Sequence, residues 1–110
     1  MRVSNSAVVT RNIVWSGLSH SEPHEAGWAG EAIAFVRALA PAVGAAGTAY
    51  VEISPDGMNW VREGTSFALP TRAGEVGFAR IGHFGNWLRL AAEFPDGSAL
   101  TVLVTFHFKS

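Results

Sequence analysis

Four histidines, His20, His24, His83 and His107, are the residues best able to bind a metal or carry a proton. His20 and His24 bracket Glu22, but an i,i+4 pair makes a metal face only on a helix, and Pro23 lies inside this stretch. His20-Ser21-Glu22-Pro23-His24-Glu25 is therefore expected as a polar surface loop with no metal. His83, between Gly82 and Phe84-Gly85, reads as a loop or bulge residue, and His107 as an exposed or interface residue on a strand. Two acids could serve glycoside hydrolysis if they met in a cleft. Glu52 and Glu93 are the candidates, but each sits on a strand face where an ion pair with Arg62 or Arg89 is the simpler reading. No G-x-S-x-G, phosphate-binding loop or H-E-x-x-H occurs. The expectation is a protein without catalytic residues or cofactor.

The aromatic residues say more. Trp15, Trp28, Trp60 and Trp87 are many for 110 residues, and indoles favour core margins and interfaces. Trp60 is expected to close the core behind the turn before it. Trp87 alternates in phase with Arg89, opposite Leu88, Leu90 and Phe94, so it should stand on an outer face. Trp87, Arg89 and His107 are thus the expected interaction surface. Trp60 and Trp87 with Asn59, Asn86 and Arg89 form the alternative, a stacking platform for a glycan.

The elements that position these residues read as β. Leu100, Val102, Val104, Phe106 and Phe108 alternate with Thr101, Leu103, Thr105, His107 and Lys109, the period of a half-buried strand. Leu88, Leu90, Ala92 and Phe94 alternate likewise, and Pro95-Asp96-Gly97 between the two runs predicts a hairpin. Pro55-Asp56-Gly57 predicts a second hairpin, between Ala49–Ile53 and Met58–Arg62. Ala7–Trp15, Ser66–Pro70 and Glu75–Ile81 are further strands. Gly27–Ala40 is rich in alanine and locally helical in propensity, yet in an otherwise β chain it is assigned as a strand. Seven or eight strands with turn signals about every ten residues predict one all-β domain over residues 1–110, an antiparallel β-sandwich of jelly-roll type.

Val51-Glu52-Ile53-Ser54-Pro55-Asp56-Gly57-Met58-Asn59-Trp60 resembles the V-x-x-S-x-D-G-x-x-W hairpin of discoidin-like and carbohydrate-binding β-sandwich modules. Gly85-Asn86-Trp87-Leu88-Arg89-Leu90 is similar to their later Y-V-R-L strand, and the likeness spans about 40 residues. Similar hairpins occur in small jelly-roll proteins that decorate phage heads. The resemblance implies either a virion accessory protein or a glycan-binding module; a small metal-binding, cupin-like enzyme is a remote third.

Composition narrows the choice. Eight basic and nine acidic residues, with no run of either sign, disfavour nucleic acid and anionic membranes as partners. The absence of cysteine excludes disulfides and thiolate metal sites. Met1–Ser6 has no apolar run of a secretory signal, so the expectation is synthesis in the cytoplasm, the chain either staying where it is made or leaving as part of a virion or other assembly. Only 15% of residues are charged, against about 25% for an ordinary soluble domain. Such a surface suits self-association or a place in a larger assembly, so the expected role is structural and non-enzymatic.

Overall fold

A computed structural model describes residues 4–82 and 84–110. Met1–Val3 and His83 lie outside the described residues, and with them the loop reading of His83 and part of the signal-peptide reading. The chain forms β1 (Ser4–Ser16), β2 (Leu18–His20), β3 (His24–Glu25), β4 (Glu31–Ala38), β5 (Thr48–Ser54), β6 (Val61–Ala68), β7 (Val76–Gly82), β8 (Trp87–Glu93) and β9 (Ala99–Lys109). One antiparallel sheet has the order β1-β9-β4-β7, the other β2-β8-β5-β6, and β3 pairs with β8 beyond the end of β2. The two sheets pack as a sandwich.

Alternation decides which side chains lie between the sheets. Leu100, Val102, Val104, Phe106 and Phe108 of β9 are buried, as are Leu88, Leu90 and Ala92 of β8. β4 contributes Ala32, Ala34, Val36 and Ala38. Its alanines are there for space: Ala32 stands beside Phe108 and Ala34 beside Phe106 in the β4–β9 register. Small against large is how a core reaches native density. Tertiary packing thus overrides the helical propensity of the segment, and the strand assignment holds for Glu31–Ala38.

Three expectations need correction. The two strands expected at Met58–Arg62 and Ser66–Pro70 are one strand, β6, carrying a register shift and Gly64 at φ 119°. Pro95-Asp96-Gly97 does turn the chain, with Ser98 N–H donating to the Pro95 carbonyl at 3.0 Å, but it makes no hairpin. β8 pairs with β2, β3 and β5, while β9 pairs with β1 and β4 in the other sheet. The turn is an arch between layers. Both flanking strands bear an apolar face, and an arch lets those faces cover each other across the core, which a hairpin cannot do.

The third correction is the His20–Glu25 stretch, which is not all surface loop. Ser21 is fully buried between β2 and β3. Its N–H donates to the Leu90 carbonyl at 2.8 Å, and its Oγ accepts the Leu90 N–H at 3.0 Å. One serine thus satisfies both backbone groups of a buried strand residue where the edge strand is interrupted. Ser21→Ala should orphan the Leu90 N–H and destabilise the fold by about 1–3 kcal/mol, read by urea denaturation. A loss within error would mean that water replaces the hydroxyl.

Candidate functional site

The outer face of the five-stranded sheet is polar and closed upon itself. β5 and β8 place Glu52 opposite Arg89, and Arg89 Nε donates to Glu52 Oε1 at 2.7 Å. On the neighbouring rows Arg62 of β6 pairs with Glu93 of β8. Arg62 also lies over the Tyr50 ring at 3.7 Å and Arg89 over the Trp60 ring at 4.3 Å. The ion-pair reading of the two glutamates therefore describes their geometry. Trp60 is half-buried against Arg89 on this outer face and does not close the core.

The β5–β6 turn is organised by Asp56. Its Oδ1 accepts the Asn59 and Met58 N–H groups at 2.9 Å and the Ser54 hydroxyl at 2.9 Å, and Oδ2 accepts from Asn59 Nδ2 at 2.8 Å. Ser54 Oγ in turn accepts the Gly57 N–H at 2.9 Å. Gly57 has φ 79°, and a Cβ there would stand 3.0 Å from the Trp87 indole, so only glycine meets both demands. Donors from Asn59, first through its backbone, then from Met58 and Ser54, hold the Asp56 carboxyl well below its ordinary value of 3.8. The unfolded chain then binds more protons than the folded one near that value, so stability falls as pH drops below about 4. Asp56→Asn should flatten this acid limb in melts between pH 7 and pH 3; an unchanged limb would assign it to other carboxylates.

Residues expected to act together are partly separated. Trp87 and Arg89 share the outer face of the five-stranded sheet, whereas His107 stands on β9, on the outer face of the other sheet. His107 makes an edge contact with Phe35 at 5.1 Å and its Nδ1 lies 3.1 Å from Ser6 Oγ. Trp60, Trp87, Asn59 and Asn86 do gather around β8 and the β5–β6 turn. Arg89 covers the Trp60 ring, Gly57 lies against Trp87, and Asn59 is bonded to Asp56. His24 stacks on Phe108 at 4.9 Å. Among the described residues no three of His, Asp and Glu come together as a metal site.

The less expected surface is the outer face of the four-stranded sheet. Ile33 and Phe35 of β4, Val76 and Phe78 of β7, Leu103 of β9, and Val8 and Val14 of β1 stand on it, with Arg11, Arg37 and Arg80 between them in the strand register. Val76 is 44% exposed, Phe78 46% and Val14 63%. A groove of about 410 Å³ runs over Ile33, Phe35, Val76 and Leu103. Leu103 at an outward position of β9 was its one clear signal in the sequence. Phe35 and Phe78 could be placed only once β4 and β7 were known to be neighbours.

No protein-family model and no curated protein matches this chain. Two of the solved structures that share the fold bear on the chain. One is the PBSX exported protein XepA, at TM-score 0.63 and 12% identity, matched over 96% of this chain and 37% of that one. This chain thus spans little more than a third of XepA. The other comes from Bacillus endospore appendages, described as disulfide-linked pili, at TM-score 0.53 and 8% identity, over 97% of this chain and 87% of that one. At such identities the likeness is one of fold.

Proposed function

We propose that this chain is a non-enzymatic structural module that associates with further copies of itself inside a larger surface assembly, a phage virion in the first instance. The observation that carries the reading is the apolar outer face of the four-stranded sheet. Scattered apolar residues are normal on a surface, but Ile33, Phe35, Val76 and Leu103 lining one groove, with Phe78 against Phe35, mark a contact. An exported PBSX protein and endospore pili share the fold, which agrees with work in an external assembly. The strand order, β1-β9-β4-β7 facing β2-β8-β5-β6, fits the wrapped double sheet of a jelly roll, the architecture of many capsid domains. The absence of catalysis is part of the proposal: the two carboxylates a cleft would use, Glu52 and Glu93, are held by Arg89 and Arg62.

Light scattering on the purified chain over a concentration series tests it. Mass should rise above 11.7 kDa in the micromolar range. A strict monomer at every concentration would remove self-association from the proposal.

A further inference from the structure

The charges of this molecule are distributed unevenly between its faces. Arg11, Arg37, Arg80 and Lys109 stand on the outer face of the four-stranded sheet with one carboxylate, Glu31, which leaves the face three charges positive. The other described residues hold eight carboxylates against Arg62, Arg72 and Arg89, and are five charges negative. Two copies meeting through this face alone would set cation against cation. Like charges brought together at an interface are strongly unfavourable. A head-to-tail contact, in which the face meets a different surface of the next copy, avoids this.

The complementary surface is the β2–β3 edge of the five-stranded sheet. From Gly17 to Gly30 the chain carries Glu22 and Glu25 and no lysine or arginine. Both carboxylates are exposed. The same strip holds Leu18, 83% exposed and the most open large apolar side chain among the described residues, and Trp28 at 43%. β2 and β3 have only three and two residues and are separated by the buried Ser21 and by Pro23. So broken an edge is a poor template for backbone pairing, and contact through side chains is what it can offer.

We infer that the apolar, basic outer face of the four-stranded sheet binds the apolar, acidic β2–β3 edge of a second copy, so that the chain assembles heterologously. This inference rests on the self-association proposed above. Leu18 of one copy enters the groove over Phe35 and Leu103 of the next, and Glu22 and Glu25 meet Arg37 and Arg80. The crossing angle between copies decides whether the result is a ring or an open filament.

Charge exchange tests the pairing. Arg37→Glu with Arg80→Glu, and separately Glu22→Lys with Glu25→Lys, should each raise the concentration needed for assembly by about 100-fold. All four substitutions together should restore assembly to within about tenfold of the wild type, because the charges have only changed places. The milder pair Arg37→Gln with Arg80→Gln should weaken assembly partway, and thermal melting reads whether every variant keeps the wild-type fold. A monomeric wild type overturns both the self-association and this inference. An assembling wild type whose arginine variants assemble equally well, or a folded fourfold variant that stays monomeric, overturns this inference and leaves self-association standing.

Discussion

Phe108→Ala should destabilise the sandwich by about 3–5 kcal/mol, the range for truncating a large aromatic side chain in a core. The ring is fully buried and is the hub of an aromatic cluster. His24 stacks on it at 4.9 Å, Phe106 meets it edge-on at 5.8 Å, and Trp28 and Phe84 approach at 6.1 and 6.2 Å. Its strand neighbour across β4 is Ala32, too small to fill the space left behind. The loss is a large share of the roughly 5–15 kcal/mol that holds a domain of this size. A melting temperature lower by roughly 15 °C or more is expected in calorimetry. A drop of only about 5 °C would mean that His24 and Trp28 collapse into the cavity.

Val76→Ser with Phe78→Ser should abolish self-association at concentrations where the wild type assembles, and leave the melting temperature of the monomer within a few degrees of wild type. Both side chains are nearly half exposed and stand on β7, at the margin of the sheet, so they add little to the core. At an interface the balance differs. Burying the remaining apolar surface of a valine and a phenylalanine is worth about 2–4 kcal/mol, or roughly a 30- to 1,000-fold change in affinity at each contact. Sedimentation velocity distinguishes the outcomes. A variant that still assembles would move the contact off this face, and one that no longer folds would show these residues to be structural.

The two Pro-Asp-Gly turns show how far local chemistry carries. Pro55-Asp56-Gly57 and Pro95-Asp96-Gly97 were legible as turns, and each reverses the chain with glycine at φ near 80°. Only the first makes a hairpin, with Ile53 opposite Val61 and Glu52 opposite Arg62. The second passes from one sheet to the other. A turn motif sets dihedral angles over four residues; whether the following strand lies beside its predecessor or across from it depends on what covers their apolar faces.

The candidate surfaces were legible to different degrees. Alternation placed Trp87, Arg89 and Glu93 outside with Leu88, Leu90 and Ala92 inside, and the structure agrees. It also placed His107 outward on β9. Nothing local could reveal that His107 and Trp87 stand on opposite sides of the sandwich. Trp60 stands outside the core for a similar reason: the Arg89 that draws its ring to the outer face lies 29 positions further along the chain, on another strand.

The sequence alone determined the β class, the inward and outward faces of the long strands, and the turn positions, because hydrophobic burial and backbone preference act at a period of two residues and within single turns. Tertiary structure alone decided which sheet each strand joined, the insertion of Ser21 at a broken edge, and the gathering of Ile33, Phe35, Phe78 and Leu103 into one face. Those depend on pairing between strands far apart in the chain, where the energy belongs to the register and to what the opposite sheet covers.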